Sequence, residues 1–214
     1  MTDSAGARTP RYGVFLLPDP RTAAGVTTIT TQIKAQYGLV SAAAFPPHVT
    51  LVGSLPLVGD PYQALLDLES ELEAVLAARE SFLVANAGVA RLGNAIVYDV
   101  NERDGAPNSD LLDLAAAIRS AVLPRLAPTA PGTLAADVRE PSQWHGHLSL
   151  ASHEMDERPE LHDEVVTYIE GLEVDTPGRF RAEVVALYQF DHPTWTGRWW
   201  TDLRWSHLRS WRLP

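Results

Sequence analysis

The chain of 214 residues contains no cysteine. Disulfides, thiolate nucleophiles and thiolate metal ligands are therefore excluded. The chain also lacks any apolar run near the roughly 20 residues that span a bilayer, and residues 1–10 are small and polar rather than signal-like. We expect a cytoplasmic protein with no membrane partner.

Positive charge is scarce. The chain has 17 lysine and arginine residues against 27 aspartate and glutamate residues, which gives a net charge of -10, and Lys34 is its one lysine. Binding a long nucleic acid requires a basic surface, so we expect no DNA partner. A small anionic ligand, held by a local group of arginine or histidine side chains, remains compatible with this charge.

Two short segments repeat one pattern about a hundred residues apart. Pro47–Val52 reads PHVTLV and Gly146–Ala151 reads GHLSLA. Each places a histidine and a hydroxyl residue two positions apart among alternating apolar residues, so that in a strand both polar side chains leave one face. Two imidazoles and two hydroxyls on one cavity would suit acid-base chemistry on a phosphate. The candidate catalytic residues are His48, Thr50, His147 and Ser149.

The order of the predicted elements also repeats. The predicted strands cover residues 12–17, the run around His48, 82–91, 95–100, the run around His147, and 180–190, and the predicted helices cover 22–37, 61–76, 109–126 and 159–169. Each copy thus reads strand, helix, strand, helix, strand. We infer a tandem duplication of a βαβαβ unit over about residues 11–91 and 94–191, followed by a C-terminal β-hairpin over 192–214. A loop rich in proline, alanine and glycine, Ala127–Thr133, indicates an insertion in the second copy.

Two related lobes would bring the histidine motifs to the seam between them, where we expect the pocket. Three aromatic residues are predicted near this seam as substrate-binding candidates, able to stack on a base or bond a phosphate. They are Tyr12, Trp144 and Tyr188. Ordinary packing in the core is an equally good interpretation of each. The C-terminal tryptophans at 195, 199, 200, 205 and 211 are predicted to pack in the core rather than to form a ligand platform.

A metal site is an alternative interpretation of the second motif. His145 and His147 are spaced as two ligands on one strand, with His48 or His153 as a possible third. The sequence shows no clear acidic helper beside them. We therefore expect no metal and no cofactor.

The paired motifs, their spacing and the duplicated layout resemble the two-histidine (2H) phosphoesterase superfamily, over about residues 11–212. This superfamily includes 2',3'-cyclic nucleotide phosphodiesterases and proteins called 2'-5' RNA ligases. The resemblance implies a single bilobal α+β domain over residues 1–214, with antiparallel sheets lining a central cleft and helices outside. It also implies that His48, Thr50, His147 and Ser149 fall on the catalytic positions. The second motif has Ser149 where threonine is also common, which keeps the hydroxyl.

The leading functional hypothesis is a metal-independent phosphodiesterase that hydrolyses a 2',3'-cyclic or 2'-linked phosphodiester of a small nucleotide or RNA end. One histidine would act as base and the other as acid, in a monomer. One alternative is a 2'-5' RNA ligase or end-processing factor, which should carry a basic groove beside the seam. Another is a catalytically silent module that binds a phosphorylated ligand.

Overall fold

The computed structural model describes residues 10–125 and 144–214. The strands are β1 Arg11–Leu17, β2 Val49–Leu55, β3 Phe82–Ala85, β4 Gly88–Leu92, β5 Ala95–Asp99, β6 Glu102–Arg103, β7 Ala106–Pro107, β8 His147–Ala151, β9 Arg179–Ala182, β10 Val184–Asp191 and β11 Arg204–Arg212. The helices are α1 Pro20–Tyr37, α2 Pro61–Leu76, α3 Ser109–Val122, α4 Glu154–Glu157 and α5 His162–Gly171. Short 3-10 turns cover Ala42–Ala44, Leu123–Arg125, Pro159–Leu161 and Trp199–Thr201.

Both long N-terminal helices begin with an Asp-Pro pair. The Asp19 carboxylate accepts a hydrogen bond of 2.8 Å from the Thr22 amide, and Asp60 accepts one of 3.0 Å from the Gln63 amide. The proline that follows each aspartate occupies the first helical turn, where a missing N–H costs nothing. The predicted start of the first helix at residue 22 is therefore late by two residues.

Seven strands form one antiparallel sheet in the order β11-β10-β1-β2-β8-β5-β4. The strand that directly follows His48, β2, and the strand that begins at His147, β8, are neighbours at its centre. Separate two-stranded pairs are formed by β3 with β9 and by β6 with β7. The fold class is α+β, as predicted, with one continuous sheet across the seam.

One face of this sheet is covered by the helices. Val49 and Leu51 of β2 and Leu148 and Leu150 of β8 are at most 1% exposed, and they pack in a single core with the apolar sides of α1, α2, α3 and α5. Because side chains alternate along a strand, the histidines and hydroxyls of both motifs leave the sheet on the opposite face. The core therefore fixes which face carries the chemistry.

Two predicted strands are each broken in two. The predicted strand 82–91 becomes β3 and β4, because the Asn86 side chain accepts from the Gly88 amide at 2.9 Å and Gly88 adopts a φ of 102° that favours glycine. The predicted strand 180–190 becomes β9 and β10.

This break changes the pairing partners. β3 and β9 pair with each other, whereas β4 lies beside β5 and β10 lies beside β1. The last strand of the segment 11–91, β4, therefore pairs with the first strand of the segment 94–191, β5. In the same way, the last strand of the second segment, β10, pairs with the first strand of the first segment, β1.

The C-terminal region also differs from the prediction. Residues 192–214 supply one strand, β11, which pairs with β10, so the hairpin is formed by β10 and β11 and not within 192–214. The predicted insertion at Ala127–Thr133 and most of the segment 1–10 lie outside the described residues. Among the helices that the structure describes, none has the length and apolar character needed to cross a membrane.

Candidate active site

The two motifs meet where β2 and β8 lie side by side. Val49 is paired with Leu148 in antiparallel register. One residue to either side, this register places His48 across from Ser149 and Thr50 across from His147. Each histidine therefore neighbours the hydroxyl residue of the other motif, which sequence spacing alone did not indicate.

All four predicted catalytic residues line one cavity of about 500 Å³. His48, Thr50, His147 and Ser149 are each partly exposed, while the apolar residues between them are buried. A cavity of this size is in the range of those that take small ligands. The structure thus brings the two motifs to a common pocket.

Both imidazoles are held by the same local hydrogen bond. His48 Nδ1 lies 2.7 Å from the carbonyl oxygen of Pro46, and His147 Nδ1 lies 2.8 Å from that of His145. A carbonyl oxygen can only accept, so Nδ1 carries the proton in both rings. Nε2 is consequently the atom of each ring that would exchange a proton with a ligand.

The surroundings of His48 disfavour its charged form. The Phe15 ring meets the imidazole edge-on at 4.4 Å between centroids, and the Phe45 ring lies 5.7 Å away. Burial lowers the pKa of His48 to about 4, the hydrogen bond to Pro46 opposes this shift, and the positive charge of a protonated His147 lowers the pKa further. His48 is therefore neutral near pH 7.

His145 has an acidic partner that the sequence did not reveal. Its Nε2 lies 3.1 Å from Asp99 Oδ1, and Asp99 is opposite His147 in the pairing of β5 with β8. His145 and His147 thus make different contacts instead of forming one ligand pair. Within residues 10–125 and 144–214, no three histidine, aspartate or glutamate side chains are grouped to hold a metal ion. The structure therefore gives the three-histidine metal interpretation no support.

Two side chains from outside β2 contact its backbone carbonyl oxygens and line the cavity. The Trp144 indole N–H donates to the carbonyl oxygen of Thr50 at 2.9 Å, and Arg119 Nη1 of α3 lies 3.5 Å from that of Leu51. Trp144 and the buried Arg119 both line the cavity.

Only part of the predicted aromatic set reaches the cavity. Trp144 does, whereas Tyr12 packs in the helix-side core at 5% exposure and Tyr188 packs against Phe15 and Phe190 at 6% exposure. Neither tyrosine is among the lining residues. We do not retain Tyr12 and Tyr188 as substrate-binding candidates, because Tyr12 is buried in the helix-side core and Tyr188 is buried among aromatic side chains.

Other aromatic residues line the cavity instead. Phe15, Phe45 and Trp199 were not predicted as site residues, and Trp199 was assigned to the core. Phe15 could have been found from its position on the same face of β1 as the site. Phe45 and Trp199 lie outside the strands, in segments that carry no periodic signal.

Comparison with known proteins identifies the family. A family model described as the 2'-5' RNA ligase superfamily matches residues 18–194, which is most of the chain. The paired histidines and the fold are those of a two-histidine phosphoesterase. The chain belongs to the 2'-5' RNA ligase superfamily, and the resemblance noted from the sequence is confirmed.

Solved structures agree at the level of the fold. E. coli LigT in apo form is 16% identical, with a TM-score of 0.51 over 97% of this chain and 99% of LigT. The Thermus thermophilus protein TT0787 is 16% identical, with a TM-score of 0.56 over 95% of this chain and 97% of that protein. A structure described as a phosphoesterase is 15% identical, with a TM-score of 0.54 over 96% and 98%. No curated protein matches the chain.

Proposed function

We propose that this protein is a metal-independent phosphodiesterase that hydrolyses a 2',3'-cyclic or 2'-linked phosphodiester of a small nucleotide or RNA end. The observation that supports this most directly is the pair of imidazoles. Both are anchored through Nδ1 to the carbonyl two residues earlier, and both line one cavity. Membership of a superfamily of phosphoesterases supports the same class of reaction.

The reaction is an in-line displacement at phosphorus. A neutral histidine accepts a proton from water through Nε2 as the water oxygen bonds to phosphorus. The bond from phosphorus to the ribose oxygen breaks, and the protonated histidine donates a proton to that oxygen. Thr50 and Ser149 donate hydrogen bonds to the equatorial oxygens, where negative charge builds up.

The electrostatics favour one assignment of the two roles. Because the pKa of His48 is lowered to about 4, His48 is neutral at pH 7 and can act as the base, which leaves His147 as the acid. The base must be unprotonated, so on the acid side of the profile we expect kcat/KM to fall as the pH drops through about 4. A pH-rate profile measures this acid-side limb, and an acid-side limb near 6.5 would contradict the assignment of His48 as the base.

The size and charge of the molecule favour a small substrate. LigT has been solved in complexes with ATP, 3'-AMP and NADP+. The cavity of about 500 Å³ is of the size that suits ligands of this kind. A net charge of -10 disfavours a long RNA track.

The central test is turnover under chelation. Purified protein is incubated with 2',3'-cyclic nucleotides, 2'-5'-linked oligomers and short RNA ends in EDTA, and products are identified by phosphorus NMR. We expect hydrolysis of a cyclic nucleotide, and a loss of about 10² to 10⁴-fold in His48→Ala and in His147→Ala. His207→Ala is the matched control, because His207 is exposed and outside the cavity lining.

Each alternative has its own outcome in this experiment. Abolition of turnover by EDTA would favour a metal enzyme. Activity confined to RNA ends or ligation would favour an RNA-processing factor. Tight nucleotide binding without turnover of any substrate would favour a silent binding module.

A further inference from the structure

We propose that Phe45 and Trp199 form a nucleobase-binding subsite beside the histidine pair, so that the ligand is a nucleotide bound through both its phosphate and its base. This inference rests on the proposed function for the position of the phosphate. Phe45 also packs against His48, whereas Trp199 has no part in the acid-base mechanism.

The first argument is position. Trp199 lies in the 3-10 turn between β10 and β11, yet it lines the same cavity as His48 and His147. The Phe45 ring lies between the two regions, with its centroid 5.7 Å from that of His48 and 6.2 Å from that of Trp199. One aromatic ring therefore separates the indole from the proton-transferring imidazole. A ribose joins the phosphate and base of a nucleotide across a comparable gap.

The second argument is exposure. Trp200 and Trp211 are buried, at 7% and 9% exposure, as expected for tryptophans that stabilise a core. Trp199 is instead partly exposed and faces the cavity, as does Phe45. Aromatic faces left open inside a concave pocket are the usual platform for a base, because every base has a flat apolar face to stack on them.

The third argument is that neighbouring elements hold the segments of Phe45 and Trp199 in place. Arg198, the residue before Trp199, forms an ion pair with Glu157 of α4. The Trp205 indole N–H donates to the carbonyl oxygen of Ala44 at 3.0 Å, which ties β11 to the turn before Phe45. The segments that carry Phe45 and Trp199 are thus linked to neighbouring elements, and a base would need little reorganisation to bind.

His153 packs beside the indole and also lines the cavity. Its ring centroid lies 4.9 Å from that of Trp199, and it stacks on the buried Trp200 at 5.0 Å with an interplanar angle of 23°. Trp199 therefore rests on a packed aromatic layer.

Charge orients the ligand within the cavity. At the rim, Asn94 Nδ2 donates to Asp156 Oδ1 at 2.8 Å, and both side chains are exposed and line the cavity. A carboxylate repels a phosphate and can accept from the N–H groups of a base. Asp156 acts electrostatically on His153, which packs against Trp199, so this carboxylate lies on the Trp199 side of the cavity, where it disfavours the phosphate and favours the base.

The test is an equilibrium binding measurement, which requires no turnover. The affinities of 3'-AMP, ribose 5-phosphate and inorganic phosphate are measured by calorimetry for wild type, Trp199→Leu and Trp199→Phe. We expect wild type to bind 3'-AMP at least about tenfold more tightly than ribose 5-phosphate, in line with the gain from stacking one base. Trp199→Leu should lose most of this difference while its affinity for inorganic phosphate is unchanged, and Trp199→Phe should keep most of it.

Tyr62→Leu is the matched control, because Tyr62 is 73% exposed on α2 and lies outside the cavity lining. Unchanged 3'-AMP affinity in Trp199→Leu would overturn the subsite, as would an equal loss for 3'-AMP and inorganic phosphate. The two proposals fail separately. Base-dependent binding without hydrolysis contradicts the proposed function alone, whereas hydrolysis with equal affinity for 3'-AMP and ribose 5-phosphate contradicts the subsite alone.

Discussion

The two histidine motifs share one hydrogen bond to the imidazole and differ in the side chains around it. In both, a carbonyl two residues earlier accepts from Nδ1 of the histidine, from Pro46 in the first half and from His145 in the second. The first imidazole is then packed by Phe15 and Phe45, whereas the residue that anchors the second one contacts the Asp99 carboxylate. The motif itself orients each ring, and burial among aromatic neighbours lowers the pKa of His48. Equal motifs can therefore take unequal roles.

Among the predictions that test this comparison, the largest loss of activity is expected when the hydroxyl of Thr50 or Ser149 is removed. Thr50 lies across from His147 and Ser149 across from His48, so each half contributes one donor to the charge on the phosphate. We expect Thr50→Val and Ser149→Ala each to lower kcat/KM by about 10²-fold, a typical cost of removing one such donor. Thr50→Ser keeps the hydroxyl and should stay within a few-fold of wild type. Steady-state kinetics measure all three, and a change below twofold in Thr50→Val would remove Thr50 from the mechanism.

A smaller effect should appear in stability. The pKa of His48 is about 4 in the folded protein and near the ordinary 6.5 when unfolded, so between these values the unfolded chain binds the extra proton. Stability contributed by neutral His48 is thus present above about pH 6.5 and lost as the pH falls toward 4. Between pH 7 and 5 this loss amounts to about 2 kcal/mol.

Urea unfolding at pH 7, 6 and 5 measures this loss. His48→Gln cannot titrate and should show a correspondingly weaker dependence on pH than wild type. His207→Gln, a substitution at an exposed histidine, should behave as wild type does. An identical pH dependence in wild type and His48→Gln would mean that the aromatic packing does not set the charge of His48.

The smallest effect is expected from substitution of Asp99, the acidic partner of His145. Asp99→Asn weakens the contact with His145, whose carbonyl anchors His147, while its amide oxygen can still accept from the Asn101 amide as Asp99 does. We expect kcat to fall by up to about tenfold with little change in KM, because a less well held imidazole is misplaced for proton transfer. Asp104→Asn, at an exposed turn outside the cavity lining, is the control. A wild-type kcat in Asp99→Asn would show that the His145 backbone needs no such support.

Much of the fold could be predicted because its signals are local. The start of α2 at Pro61, the alternation around His48 and His147, and the apolar stripes of the long helices are read within a few residues. The breaks at residues 86–88 and at 183 were missed, because strand-forming residues stand on both sides of each break and the sequence does not record which strand each side pairs with. Whether the 11–91 and 94–191 segments arose by duplication stays a prediction, although the sheet joins the last strand of each to the first strand of the other.

The site, like the fold, has features that the local sequence predicts and features that it does not. By itself, the sequence determined that each motif presents an imidazole and a hydroxyl on one face of a strand, since the alternation of side chains along a strand is a property of the backbone. Tertiary structure alone decided that Tyr12 and Tyr188 are covered while Phe45 and Trp199 are open, and that His48 is neutral beside Phe15. Burial and pKa depend on atoms brought together from distant parts of the chain, and no local pattern records which atoms those are.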